Sequence, residues 1–501
     1  MSCKDIETTL GEFISPSKEL DATMSNTKYT PRGYQEYILS QLESMQGHNT
    51  LLELDCGLGK RFITHQLVAE RYPDLRIIIV VHSSSSLAET VDYLKSEYGG
   101  LEDDLGELSS RVPSGRRAYV VRESRVLVAT PQVLANMVDK DSSLFGDIDV
   151  LLINEVDTLV RRSGGRTALV FPWPKLLSFF RDKWIIGMSG TLRDDHAVFG
   201  TEQMEIREEL ATLRRFIPDS ELISMEDLYD TDIEDYLEPT FLTVKRVENR
   251  QIRSISLVLD ELISNTRNEI INELADSDNL SLVEGDARRI HMMIERLPIS
   301  DDLKGRYTGL LLLRKYVYAM PPTQFMKMFY NPYLKHYFNV SDLRKALPEI
   351  SPKVSYVVSI AEHHGKTLIL TSYLEMVDQI VEALEHAGIR AERITGQTRD
   401  KGEILRAFRE EDDLGALVLS PVGERDLDIP QADVMVVCDA INTTKTMYQK
   451  FKRTRGGLVV LLAYSGTSEE RKVSRLMDRI LNRYPWSTSV MKTDSDSLWK
   501  Q

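Results

Sequence analysis

Leu54-Asp55-Cys56-Gly57-Leu58-Gly59-Lys60-Arg61 is the stretch on which the reading of this chain turns. It follows the apolar run Thr50–Leu54, which has the length of a buried strand, and it opens a helix-like pattern. A glycine-rich turn in that position lets backbone amides approach an anion closely, and a lysine at its end adds a mobile cation, so the segment can cradle phosphates. Alone, the same letters also describe a turn with an exposed lysine, and the surrounding chain has to decide between the two.

Outward from the loop, short apolar runs alternate with helix-like stretches to about residue 200, at Thr50–Leu54, Arg76–Val81, Arg125–Ala129, Val150–Asn154 and Trp184–Ser189. Runs of strand length separated by helical patterns predict a parallel α/β layer, one RecA-sized unit over 29–202. Over 203–350 the pattern becomes long and amphipathic, at Arg253–Glu273 and Ala287–Leu297, and ends in an aromatic-rich segment, which predicts a helical insertion. Alternation returns over 351–501, with strands expected at Thr367–Thr371, Ala416–Leu419, Val434–Cys438 and Leu458–Leu462. The expected fold class is α/β: two RecA-like parallel-sheet domains with a helical insertion between them, behind a polar tail at 1–28 expected to be flexible. The acidic run Asp227–Glu238 (DLYDTDIEDYLE) reads as a solvated face or loop, and no function is assigned to it.

Composition narrows the class. A formal charge of −15 over 501 residues argues against a generic polyanion binder, although a channel can be basic inside an acidic protein. Cys3, Cys56 and Cys438 are far apart and form no CxxC pair, so neither a disulfide framework nor a zinc site is expected. No apolar run approaches the ~20 residues that span a bilayer, and the first thirty residues lack a secretory stretch. A cytoplasmic protein with no membrane partner is the expectation.

Further motifs stand in order around the loop. Pro31-Arg32-Gly33-Tyr34-Gln35 lies upstream; Ala129-Thr130-Pro131-Gln132, Asn154-Glu155-Val156-Asp157 and Ser189-Gly190-Thr191 lie downstream. In the second unit Thr367–Tyr373 leads into an amphipathic helix and is followed by Gly396-Gln397-Thr398. Then come Ser420-Pro421-Val422-Gly423-Glu424-Arg425-Asp426-Leu427-Asp428-Ile429-Pro430 and Tyr448-Gln449-Lys450-Phe451-Lys452-Arg453-Thr454-Arg455. Their order and spacing resemble the motifs of superfamily 2 helicases. Within that superfamily the chain resembles the helicase part of archaeal Hef and of the Fanconi anaemia group M helicase over residues 30 to 480. PRxYQ at Pro31–Gln35, VGExxLDxP at Val422–Pro430 and the helical insertion carry the resemblance. Dicer-type and RIG-I-like RNA translocases share the architecture, so RNA stays open beside the preferred DNA. The Hef family's nuclease module, with its ERKxxxD-type metal site, has no counterpart after Ile480, and Glu424-Arg425-Asp426 belongs to the second-lobe motif.

The resemblance implies roles. Gln35 would read adenine, Gly57, Gly59 and Lys60 would hold the phosphates of ATP, and Glu155 would activate the attacking water. Asp428 and Gln449 would sense nucleotide from the second lobe, and Arg453, with Arg455, would supply arginine fingers. Phosphoryl transfer depends on positioned cations and carboxylates of this kind.

Where magnesium should bind, the sequence departs from the pattern. Arg61 replaces the hydroxyl residue after the lysine, and Asn154 replaces the metal-linked aspartate, so two ligand positions are changed together. Asp55 adds a negative charge beside the phosphates, Asp426 replaces a glycine, and Arg455 is displaced by one from the QxxGRxGR register. Loss of one arginine finger can cost ~10³ to 10⁵ in rate. ATP binding with weak or lost hydrolysis is therefore expected; the alternative has Arg61 taking over part of the metal's charge.

For nucleic acid, Ser83, Ser84, Thr130, Gln132, Thr371 and Thr398 are candidate phosphate contacts, none of which reads sequence. Lys327 and Lys335 stand among aromatics at Lys327–Tyr330 and Tyr333–Phe338, where stacking on bases competes with packing in a core. Lys245, Arg246, Arg250 and Arg253 form a second basic cluster. Glu7–Ile14 resembles a sliding-clamp binding box with Glu7 and Ile14 off the usual pattern. Three functions follow: a fork- or duplex-DNA-binding protein that has lost most of its motor, a working ATP-dependent DNA translocase at forks, or an RNA-directed relative.

Overall fold

The computed structural model describes residues 30–96, 101, 104–163, 166–190, 192, 208–238, 240–275, 280, 290, 293–328, 345–420, 431–439, 444–452, 457–484 and 488–490. Ile77-Ile78-Ile79-Val80 and Val126-Leu127-Val128-Ala129 are buried at every position, which only strands covered on both faces allow, and that is the property of parallel sheets with helices on each side. The first lobe contains β1 (Thr50–Glu53), β2 (Ile77–Val80), β3 (Leu105–Leu108), β4 (Val126–Ala129), β5 (Val150–Asn154), β6 (Val160–Ser163), β7 (Arg166–Leu169), β8 (Trp184–Ser189) and β9 (Glu221–Ile223). Among the described residues, seven of these pair in parallel in the order β3-β4-β2-β5-β8-β1-β9, and β6 and β7 form a separate antiparallel hairpin. Alternate residues feed two cores: Leu52, Ile79, Val128 and Leu152 face one way, Leu51, Ile78, Leu127 and Leu151 the other.

The second lobe repeats the plan with β10 (Thr240–Val247), β11 (Thr367–Leu370), β12 (Arg390–Ile394), β13 (Leu414–Leu419), β14 (Val434–Val437), β15 (Leu458–Tyr464) and β16 (Thr488–Val490). Their order is β12-β13-β11-β14-β15-β10-β16, again parallel among the described residues. The nine strands expected from the sequence all appear, shifted by a residue or two at their ends.

Two strands differ from expectation in a way that moves a boundary. β9 completes the edge of the first sheet and β10 pairs with β15 in the second, yet both fall in the segment expected to be helical insertion. The insertion proper begins with the helix Arg250–Glu273, whose first turn is capped by Asn249 accepting the Ile252 amide at 2.9 Å. β9 is three residues long, and β10 carries Thr240, Thr243, Lys245 and Arg246, so neither shows a clean strand pattern. The partner of β10 lies beyond the whole insertion, which no local window can see.

Insertion and second lobe share one core. Leu259, Leu310 and Leu313, from the helices Arg250–Glu273 and Asp301–Ala319, cluster with Val357, Val436 and Leu462 of the lobe. A buried cation pins the junction: Lys353, 1% exposed, donates to the carbonyl oxygens of Tyr318 at 2.9 Å and Cys438 at 2.6 Å and to Glu469 Oε1 at 2.7 Å. Burial pushes the Glu469 carboxyl up, and Lys353 opposes the shift. Of the helix expected at Ala287–Leu297, the described part contains a 3₁₀ turn at Ile294–Arg296. No helix among the described residues is long and apolar enough to cross a membrane.

Candidate functional site

Strand order assembles the site. Because β8 lies between β5 and β1, the segments leaving the C-terminal ends of these three strands meet: Asn154-Glu155, Gly190 and the phosphate loop. Gly57 and Gly59 take φ of +82° and +84°, and a Cβ on Gly59 would stand 2.6 Å from Gln35 Nε2, so that position requires glycine. Lys60 opens the helix Lys60–Gln66, and its Nζ donates to the carbonyl oxygens of Leu54 at 2.8 Å and Asp55 at 3.2 Å. A Cβ on Gly190 would come within 3.5 Å of the same nitrogen.

Glu155 is exposed and adopts φ of +54°, a conformation that costs a non-glycine residue on the order of 1–3 kcal/mol and tends to be kept at working sites. Its Oε2 lies 3.6 Å from His82 Nδ1. Asp157 is buried and accepts the Ser189 hydroxyl at 2.6 Å, tying the segment after β5 to the segment after β8. Sequence reading gave this pair no role. The available signal was a second carboxylate two residues after Glu155, between Val156 and Thr158.

Gln35, 2% exposed, sits in the first turn of the helix Gly33–Ser44. Its Oε1 accepts the Arg32 amide at 3.0 Å, and its Nε2 lies 3.4 Å from the Leu58 carbonyl oxygen, against the phosphate loop. The start of this helix is held by Asp232, whose carboxylate accepts the backbone N–H groups of Gly33 at 2.9 Å and Tyr34 at 2.6 Å. The Arg32 guanidinium lies 4.0 Å from the centre of the Tyr236 ring. The acidic run is thus more than a solvated loop: two of its residues fix the segment that carries Gln35. Partners so far apart in the chain leave no trace in local charge patterning.

The cation positions look different from the family pattern. Arg61 forms an ion pair with Glu89 on the helix Ser84–Ser96. Asn154 ends β5, half-buried, and offers a neutral amide. Among the described residues no group of three His, Cys, Asp or Glu side chains is placed to hold a metal ion. With a guanidinium and an amide at the two ligand positions, these side chains make a weaker set for a magnesium ion than the hydroxyl and carboxylate oxygens it favours.

From the second lobe, the helix Thr444–Phe451 and the residue after it reach across to the phosphate loop. The Tyr448 hydroxyl donates to Asp55 Oδ2 at 2.6 Å, and Lys452 Nζ stands 3.5 Å from the same oxygen while donating to the Glu238 carbonyl at 3.0 Å. Tyr448 is fixed in turn by stacking on Tyr484, with ring centres 3.6 Å apart and planes within 8°. Asp428, Arg453 and Arg455 lie outside the described residues, as does the Gln449 side chain.

Candidate nucleic-acid contacts distribute along the rims at the C-terminal ends of the parallel strands. Ser83, after β2, caps its helix through its hydroxyl, which accepts the Ser86 amide at 3.1 Å, and Ser84 beside it is exposed. Thr130 precedes the helix Pro131–Lys140, where Gln132 is exposed and donates to Asn136 at 3.0 Å. Thr398 closes the turn after β12 by accepting the Thr395 amide at 3.0 Å. Thr371 differs: it is buried, and its hydroxyl donates to Asp439 Oδ2 at 3.2 Å, so it braces the rim from inside. Lys327 is exposed, with Nζ 3.7 Å from Glu375. Lys335, the second aromatic cluster and the Glu7–Ile14 segment lie outside the described residues.

Comparisons with known proteins agree with the two-lobed fold. Residues 28–194 match the family model described as type III restriction enzyme, res subunit, and 352–457 match the helicase conserved C-terminal domain. A protein of Methanocaldococcus jannaschii described provisionally as an ATP-dependent RNA helicase is 23% identical over 84% of this chain and 56% of its own length. The Arabidopsis thaliana DEAD-box ATP-dependent RNA helicase FANCM is 21% identical over 84% of the chain and 34% of its own length. For the ATP-dependent DNA helicase mph1 of Aspergillus terreus the figures are 20%, 84% and 44%. The chain therefore spans between about a third and just over half of these relatives. The crystal structure of the Pyrococcus furiosus Hef helicase domain superposes with a TM-score of 0.59 at 16% identity, covering 89% of this chain and 98% of that one. Two RecA-like lobes, their motif order and these matches together make the chain a superfamily 2 helicase-fold protein of the Hef and FANCM type.

Proposed function

We propose that this protein grips forked or duplex DNA across the rims of its two lobes, binds ATP, and hydrolyses it weakly or not at all. The observation that carries the reading is the fate of the magnesium positions: Arg61, which has no ligating oxygen, pairs with Glu89, and Asn154 presents an amide. Losing the ion that neutralises developing phosphate charge should cost at least as much as an arginine finger, ~10³ or more in rate. Lys60, Gln35 and Glu155 remain around the loop and support nucleotide binding; a translocase with unusual metal handling is the second reading they keep alive. Relatives are named for both DNA and RNA. The preference for DNA rests on the Hef-type motifs and insertion.

Steady-state ATPase with and without forked DNA tests the motor, with Lys60→Ala as the control for contamination and Arg61→Thr/Asn154→Asp as the repair. No parental turnover, with partial recovery in the double variant, supports the proposal. DNA-stimulated parental turnover that Lys60→Ala abolishes would make the protein a translocase. Gel shifts on forked DNA, duplex DNA and duplex RNA test the ligand, and tighter binding to RNA rejects the DNA reading. A sliding clamp is a second proposed partner, through Glu7–Ile14; clamp binding that survives Leu10→Ala/Phe13→Ala removes it.

A further inference from the structure

The phosphate loop of this chain already holds an anion of its own. Asp55 is 1% exposed, and its carboxylate is met from both lobes. Oδ1 accepts the Cys56 amide of the loop itself at 2.7 Å; Oδ2 accepts the Tyr448 hydroxyl at 2.6 Å and has the Lys452 ammonium at 3.5 Å. A buried carboxylate is tolerated only when paired and hydrogen-bonded, and these three groups supply that. They are also the chemistry a nucleotide phosphate would recruit at this place, with a loop amide on one side and second-lobe donors on the other.

The contact is built rather than incidental. Tyr448 is held by its stack on Tyr484, and Lys452 is 7% exposed and anchored a second time on the Glu238 carbonyl. Both donors are therefore positioned by contacts within the protein itself. A polyphosphate entering beside Asp55 would add negative charge next to a buried carboxylate and compete for the same amide and ammonium.

We infer that Asp55 is a built-in substitute for the nucleotide's anion: it sets nucleotide affinity, and through Tyr448 and Lys452 it joins the lobes when no nucleotide is bound. Nucleotide binding and this lobe contact then oppose each other, because each uses groups the other needs, and the coupling acts equally in both directions. The inference deepens the proposed function but stands on the contact between lobes, independent of which nucleic acid is gripped and of whether hydrolysis occurs.

The test is an equilibrium titration of the full chain with mant-ATP in EDTA, on the parent, Asp55→Asn and Tyr448→Phe, with the nucleotide-free radius of gyration measured by small-angle X-ray scattering. Asp55→Asn keeps the shape and removes the charge; Tyr448→Phe keeps the stack on Tyr484 and removes the hydroxyl. Mant-ATP should bind Asp55→Asn about tenfold tighter than the parent, equivalent to one charge-assisted hydrogen bond. Tyr448→Phe should shift the same way by less, and both nucleotide-free variants should be more extended than the parent. Unchanged or weaker mant-ATP binding in the variants, or an unchanged radius, overturns the inference. If Asp55→Asn does not fold, Tyr448→Phe decides on the same two readouts. A gel shift that shows no DNA binding would remove the proposed function and leave this titration intact.

Discussion

Asp232→Ala removes the cap that fixes the helix presenting Gln35. One carboxylate serves two backbone amides, Gly33 at 2.9 Å and Tyr34 at 2.6 Å, at a half-buried position. A lost N-terminal cap costs ~0.5–2 kcal/mol, and two amides served by a charged group place this one in the upper half, about 1–2 kcal/mol. Gly33→Ala should cost about the same amount by a different route, since its Cβ would stand 2.8 Å from Asp232 Oδ1 and force the carboxylate to withdraw. Both changes destroy one interaction, so the double variant should lose no more than Asp232→Ala alone, a coupling of about 1–2 kcal/mol. Hydrogen exchange by mass spectrometry on peptides covering 33–44 reads the helix directly. Each single variant should exchange about 5- to 30-fold faster there, and the double variant no faster than Asp232→Ala. Additive effects, or exchange unchanged in Asp232→Ala, would refute the coupling between the acidic run and this helix.

Lys353→Met should destabilise the second lobe and insertion together by about 3–5 kcal/mol at pH 7.5, because it strands the Glu469 carboxylate in the core. Burial already pushes that carboxyl up, so without Lys353 it takes up a proton more readily in the fold than in the unfolded chain; the penalty should shrink as pH falls towards the ordinary carboxylate range, which urea unfolding at pH 7.5 and 5.5 would show. Burial holds the His65 imidazole below its ordinary value, outweighing the opposing pull of Glu70, so its stabilising share is present above about pH 6.5 and lost on acidification. His65→Gln should accordingly flatten the pH dependence of first-lobe unfolding between about pH 6.5 and 5; an unchanged slope would exclude His65 as its source. Ser189→Ala should cost about 1–3 kcal/mol by leaving Asp157 a donor short, measured as a shift in the urea midpoint. Glu89→Ala should change stability by no more than about 1 kcal/mol, as expected for a part-exposed ion pair, and should not raise ATPase because Asn154 is untouched.

Local sequence determined more of this protein than its low identity to known relatives suggests. The strands that carry the motifs are short runs buried on both faces, so composition and length alone marked them. The glycines and lysine of the loop could be read because a tight turn and a phosphate contact each demand particular residue types at adjacent positions. The departures at Arg61 and Asn154 were visible for the same reason, as single letters at places where chemistry restricts the choice. Tertiary structure decided where those letters point: Arg61 towards Glu89, Thr371 inward to Asp439, and Asp55 into the grip of the second lobe. It also decided that β10 belongs to the second sheet across the whole insertion, and that Asp232 caps a helix near the other end of its lobe. Each of these joins residues more than twenty positions apart, and the side chains involved are ordinary at their own sites. A local pattern records what a residue is fit for, whereas its partner is selected only when the chain closes on itself and each buried charge or amide must find the group that satisfies it.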